Sequence, residues 1–146
     1  ALPLVAADLE QARLAAALTP LALRLARTFW PGPLTLVVPA AAPFAPGVAT
    51  ADGTVAIRVP AHDVACALAR AAGWPVTATS ANRSGEPPAS TAEAVLAAIG
   101  AQLAFVLDAG PAPGGPPSTI VDARGETPTL VRAGAVPWSR VLESLQ

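Results

Sequence analysis

Two groups of residues in this 146-residue chain have the types and spacing for ligand chemistry. The first is the run Thr77-Ala78-Thr79-Ser80-Ala81-Asn82-Arg83-Ser84-Gly85, small or polar residues directly after the apolar Trp74-Pro75-Val76. Clustered hydroxyls, an amide and a glycine offer short donors and close backbone approach, which a small anionic ligand needs. The same residue types also make plain turns, and composition alone favours the turn. The second group comprises Thr54 and Arg58, Ser118, and Arg132, which with Ser80 and Asn82 fall at the ends of expected strands. These are binding groups rather than acid-base groups. Taken singly, Arg58 or Arg132 reads as half of a surface ion pair. Taken with the loop, they suit electrostatic stabilisation of phosphate and carboxylate, with the reacting groups held in line.

Other chemistries are set aside quickly. One histidine and one cysteine leave no Cys/His zinc cluster and no Ser-His-Asp pattern, so neither a catalytic residue nor a metal ligand is assigned. His62, expected in the first turn of a helix, reads as neutral and solvated there, and Cys66 one turn later reads as a small buried hydrophobe. All nine basic residues are arginine. Any cationic chemistry is therefore guanidinium chemistry, which favours bidentate anion contacts, and a lysine-dependent phosphate loop is ruled out. A net charge of −1 gives no overall basic field for non-specific nucleic-acid binding.

The elements that must position these groups alternate along the chain. Asp8 and Gln11 form a capping box, with Leu14 and Leu18 on one face of a helix of about ten residues reaching toward Thr19. Thr19-Pro20 starts a second helix, in which Leu21, Leu25 and Phe29 recur, and Pro31-Gly32-Pro33 ends it. Leu34 to Val38 reads as a buried strand and Ala40 to Gly53 as a loop. Thr54 to Val59 alternates, so Val55, Ile57 and Val59 share one face and Thr54, Ala56 and Arg58 the other. A third helix covers about Ala61 to Ala72, stopped by Gly73, and a short strand then feeds the polar loop. Ser90 with Glu93 reads as a second capping box, and Ala92, Val95 and Ile99 as the buried side of a fourth helix. Strands are expected at Leu103–Val106, Ser118–Asp122 and Thr129–Arg132, and a last helix around Val141, Leu142 and Leu145. Gly110 to Pro117, with four prolines and three glycines, suits a surface loop. The fold class is α/β: a single domain, residues 1–146, with a twisted mixed open sheet flanked by helices.

An apolar fraction of 53% with 13% charged residues fits a soluble globular chain, and no apolar run nears the roughly 20 residues of a membrane span. A single cysteine and no signal-like segment fit a reducing cytoplasm. The chain starts on Ala1-Leu2-Pro3-Leu4-Val5, already strand-like and with no methionine anywhere, which suggests a domain shortened at its N-terminus.

Five ordered motifs carry a resemblance: Phe29-Trp30-Pro31-Gly32-Pro33-Leu34-Thr35, Val55-Ala56-Ile57-Arg58-Val59-Pro60, Thr79-Ser80-Ala81-Asn82-Arg83-Ser84-Gly85, Ser118-Thr119-Ile120-Val121-Asp122 and Val131-Arg132-Ala133-Gly134. With them the chain resembles the YrdC-like family of threonylcarbamoyl-AMP synthases over nearly its whole length. The resemblance implies a nucleotidyltransferase that joins L-threonine, bicarbonate and ATP into threonylcarbamoyl-adenylate and pyrophosphate. That product feeds the threonylcarbamoyladenosine modification of tRNA, through tRNA-modifying partner proteins and with at most weak tRNA binding. Mg2+ would accompany the ATP. Carried over by position, Arg58, Ser80 and Ser118 are implied threonine ligands, and Thr54, Asn82, Ser90 and Arg132 implied nucleotide ligands. Ser90 could also cap its helix, since a helix N-terminus is itself an anion site.

The family's N-terminal Lys-x-Arg motif and an earlier threonine-binding segment have no counterpart here, and Pro117 stands where an acidic residue is frequent. The chain by itself is accordingly expected to bind ATP poorly and to turn over slowly. Two rivals stay open: a carbamoyl-adenylate-forming domain of the hydrogenase-maturation type, and a non-catalytic RNA-binding module of the same fold. Carbamoyl phosphate in place of threonine would reveal the first, and salt-dependent tRNA binding without pyrophosphate release the second.

Overall fold

Alternation of side chains gives the central strands two unlike faces, and helices cover one of them. The computed structural model describes residues 1–146. Its elements are β1 (Leu4–Val5), α1 (Leu9–Ala15), α2 (Pro20–Phe29), β2 (Leu34–Pro39), β3 (Thr54–Arg58), α3 (Asp63–Ala72), β4 (Val76–Thr77), α4 (Ala92–Ile99), β5 (Thr119–Asp122), β6 (Thr129–Arg132) and α5 (Trp138–Glu143). Six strands form one mixed sheet in the order β4-β1-β3-β2-β5-β6. The pairs β1/β3 and β2/β5 are parallel, and the others antiparallel. This is the expected α/β class with a mixed open sheet. Packing divides the chain into a larger unit, Ala1–Ala78 with Pro116–Gln146, and a smaller unit, Thr79–Gly115. No helix is long and apolar enough to cross a membrane.

In the larger unit Leu4, Leu34, Leu36, Val38, Val55, Ile57 and Val121 point to the covered face and join Leu25 and Val141 in one core cluster. Each such side chain contributes about 1.5–3 kcal/mol relative to exposure. The helices that supply the cover are capped as their sequences suggest. Asp8 Oδ1 accepts from Gln11 N at 2.8 Å, while Gln11 Oε1 accepts from Ala7 N at 2.7 Å. Gln11 Nε2 also donates to Ala69 O at 2.7 Å, tying α1 to α3. Thr19 caps α2 and donates its hydroxyl to Ala123 O at 2.7 Å.

Several boundaries differ from expectation. Helix α1 ends at Ala15 instead of nearing Thr19, because Ala16 bridges Ala40 and Ala17 N donates to Pro39 O. Extended pairing there outcompetes another helical turn, and Leu14 is left exposed. His62 is the N-cap of α3 rather than part of its first turn, its Nδ1 accepting from Ala65 N at 3.3 Å. In the smaller unit the cap of α4 is Thr91, which accepts from Ala94 N at 3.2 Å, so the Ser90–Glu93 capping box does not form. Ala92, Val95 and Ile99 are its half-buried side, and no residue of α4 is fully buried. Leu103–Val106 is not a strand: no segment pairs with it, and Phe105 is 76% exposed. Alternation alone does not make a strand without a ladder partner.

Two polar devices lock the C-terminal part of the larger unit. Thr119, fully buried, donates its hydroxyl to Val136 O at 2.7 Å and accepts from Val136 N at 2.9 Å. Beside it the chain at Gly134 lies so close to β5 that a Cβ would sit 2.3 Å from Pro117 O and 2.5 Å from Ser118 C. The second device is Arg124, which pairs with Asp122 at 2.7 Å and with Asp52 at 2.6 Å, joining the β5–β6 turn to the loop before β3. Hydrogen bonds from Arg124 hold the Asp122 carboxyl below the ordinary carboxylate range, against the opposing effect of desolvation. The Thr50 hydroxyl does the same for Asp52.

Thr119→Val leaves the Val136 N–H and C=O unpaired in the core and is expected to cost about 1–3 kcal/mol. A denaturant midpoint equal to that of the parent would contradict this. The depressed folded-state pKa of Asp122 and Asp52 means their contribution is complete above the unfolded carboxylate value, about 3.9, and is lost as pH falls through the folded-state value. Melting temperatures recorded from pH 7 to pH 2 are expected to fall less steeply at the acid end for Asp122→Asn than for the parent.

Candidate ligand-binding site

The uncovered face of the sheet carries one transverse row. Register pairs Val5 with Arg58, Thr35 with Ile120, and Ile120 with Arg132. The antiparallel pairing of Leu36 with Ile57 brings Thr35 and Arg58 to neighbouring positions on the face opposite the core. Strands lie about 4.8 Å apart, so the backbones bearing Arg58 and Arg132 are roughly 14 Å apart, with Thr35 and Ile120 between them.

Arg132 reaches this row through a slip in register. Asp122 pairs with Thr129 and Val121 with Leu130, but Ile120 pairs with Arg132. Val131 is the extra residue, unpaired and 57% exposed. Were Val131 paired with Ile120 instead, Arg132 would fall opposite Thr119 and point to the other face; a bulge of this kind re-aims a side chain.

A cavity of about 310 Å³ lies over the row, its lining including Thr35, Ala56, Arg58, Ser118, Ile120 and Arg132. Arg58 Nε donates to Gly32 O at 2.9 Å, and its two terminal nitrogens have no partner in the protein. That carbonyl is placed by a tight turn, since a Cβ on Gly32 would lie 2.2 Å from Phe29 O. Half-burial pulls the pKa of Arg58 below the ordinary guanidinium value, yet a guanidinium stays charged. Arg132 donates through Nε and Nη2 to Ser118 O at 3.3 and 2.8 Å, and through Nη2 to Ser118 Oγ at 3.3 Å. Ser118 Oγ lies 2.8 Å from Thr35 Oγ1. The ion pairs of the protein engage Arg13, Arg70 and Arg124, so neither Arg58 nor Arg132 is half of a surface ion pair. Two uncompensated guanidiniums with a hydroxyl and an apolar floor between them can hold a small molecule with negative charge at both ends.

The structure brings together Arg58, Ser118 and Arg132 among the residues expected from sequence. Thr54 shares their face but lies four residues along β3, roughly 13 Å away, where its hydroxyl is 2.6 Å from Thr50 Oγ1 and 3.4 Å from Asp52 Oδ1. Ser80, Asn82 and Ser90 belong to the smaller unit. There Asn82 Nδ2 donates to Arg83 O and Glu86 O, both at 2.8 Å, which shapes the turn at Gly85. Its Oδ1 is shielded from solvent and has no donor, an unmet acceptor of the kind that native proteins seldom leave without a reason. Ser90 O accepts from Ala112 N at 2.7 Å. Two residues escaped notice as site residues: Thr35 and Gly32. The signal for Thr35 was a hydroxyl of opposite parity to Leu34 and Leu36 inside a buried strand.

The chain is similar in sequence and in fold to known proteins. The sequence model of the Sua5/YciO/YrdC family, described as "Telomere recombination", matches residues 1–134. A Mycobacterium tuberculosis relative is 45% identical over 121 residues, covering 83% of this chain and 55% of its own length. The threonylcarbamoyl-AMP synthase of Bacillus subtilis is 38% identical over 118 residues, covering 80% and 34%. The crystal structure of Pyrococcus abyssi Sua5 complexed with L-threonine superposes with a TM-score of 0.87 at 34% identity, over 98% of this chain and 43% of that one. The chain thus spans about half or less of the length of these relatives. With its motifs in order, its sheet matched and the family model spanning all but the last helix, the chain belongs to the Sua5/YciO/YrdC family.

Proposed function

We propose that this chain is the synthase part of a threonylcarbamoyl-AMP synthase, a nucleotidyltransferase acting on L-threonine, bicarbonate and ATP in the service of tRNA modification. The observation that carries the reading is the row ending in Arg58 and Arg132, each free of a carboxylate partner, over a cavity of about 310 Å³. Arg58 and Ser118 hold the threonine carboxylate; Ser80, in the smaller unit, is given to threonine by its place in the motif alone. Arg132 neutralises phosphate oxygens, while Asn82, Thr54 and Ser90 serve the nucleotide. Asn82 Oδ1, lacking a donor, suits an amino or hydroxyl group of the nucleoside.

In this reading the threonine amine and bicarbonate give a carbamate and water. A carbamate oxygen then attacks the α-phosphorus of ATP, and pyrophosphate leaves. The chain's part is positioning and charge stabilisation, as is usual when phosphorus is the electrophile. The expected Mg2+ does not fit the cavity's own donor set, which is guanidinium and hydroxyl with no carboxylate. Mg2+ would arrive with the ATP rather than be held by these residues.

The reading is tested by pyrophosphate release in the presence of ATP, with threonine and bicarbonate omitted in turn; release indifferent to both omissions would overturn it. Arg58→Ala is expected to weaken L-threonine by about 1.5–3 kcal/mol and Arg132→Ala to weaken ATP by a similar amount, as for charge-assisted contacts. Titration calorimetry with each ligand separates the two, and equal small losses for both ligands would reject the division of roles.

A further inference from the structure

We propose that Thr35 is a positioning residue that fixes Ser118 as a hydrogen-bond donor, so that this end of the cavity selects an oxyanion. A hydroxyl has one proton and two lone pairs. Thr35 is only 3% exposed, and its hydroxyl has a single partner, Ser118 Oγ at 2.8 Å. Were Ser118 the donor in that pair, the Thr35 proton, on a side chain almost wholly withdrawn from solvent, would have no acceptor within the protein, the more costly arrangement. Thr35 therefore donates.

Ser118 Oγ also receives Arg132 Nη2 at 3.3 Å. With Thr35 and Arg132 both donating to it, its lone pairs are filled and its own proton is left for the cavity. The ligand there must then accept: a carboxylate, phosphate or carbamate oxygen fits, and an ammonium does not. The two free terminal nitrogens of Arg58 in the same cavity ask for the same partner. Three segments thus combine into one donor array: β2 supplies Thr35, the residue just before β5 is Ser118, and β3 supplies Arg58. Taking the oxyanion as the carboxylate of an amino acid rests on the function proposed above; the polarity of Ser118 does not.

The test is a comparison of L-threonine with L-threoninamide, which lacks the carboxylate, by calorimetry on the parent, Thr35→Val and Thr35→Ser. Thr35→Val is expected to narrow the preference for the acid about three- to tenfold, the size of one neutral hydrogen bond, and Thr35→Ser to restore it. In a Ser118→Ala background, Thr35→Val should change nothing further. Equal weakening of both ligands, or an unchanged preference, would overturn the proposal. A second readout is independent of any ligand: the Thr35 hydroxyl proton should exchange slowly and show a nuclear Overhauser contact to the Ser118 β-protons. Should the parent bind neither ligand, the proposed function fails, while this proton still decides the polarity of Ser118, rapid exchange overturning it.

Discussion

Parallel pairing of β2 with β5 is the constraint on which the rest depends. It sets Leu34 beside Thr119, Thr35 beside Ile120 and Leu36 beside Val121, joining segments more than 80 residues apart in the chain. The core face gains Leu34, Leu36 and Val121 from this one ladder, and the cavity face gains Thr35 and Ile120. Stability and binding are therefore coupled through the same backbone hydrogen bonds. The buried Thr119 hydroxyl and the close approach at Gly134 hold the C-terminal segment against that ladder, and Arg132 inherits its position from both.

What could be read from the sequence was local. Asp8 and Thr19 announced their helices because a cap is decided within three residues, and the alternation of Val55, Ile57 and Val59 is an intrinsic property of a strand. The polar loop, Arg58, Ser118 and Arg132 stood out by residue type. Failures came where a distant partner decides. Ala16 pairs with Ala40, which shortens α1, and Leu103–Val106 has no partner, which leaves a good strand pattern unused. Ser90 and Thr91 are adjacent hydroxyls, and although Glu93 favours Ser90 by pattern, the backbone geometry makes Thr91 the cap of α4. Thr35 looked like filler in an apolar run, because its meaning comes from Ser118.

The choice of arginine throughout also has a physical logic. A half-buried lysine could shed its proton, whereas Arg58 remains charged despite desolvation and spends only Nε on Gly32 O, keeping the terminal fork for a ligand. Arg124 shows the opposite use of the same side chain. Its donors are consumed by Asp122 and Asp52, and it acts as a clamp between two loops. What sets Arg124 apart from Arg58 is the pair of carboxylates within its reach.

The unpaired Val131 gives β6 the character of a measuring rule. From Asp122 to Arg132 the chain must turn at Arg124 and return with one residue to spare, and that surplus decides which side of the sheet receives the charge. Were that residue paired opposite Ile120, every motif would stay legible while the guanidinium turned away from the cavity. The pairing of β6 with β5, more than the presence of the arginine in the sequence, thus decides whether the charge faces a ligand.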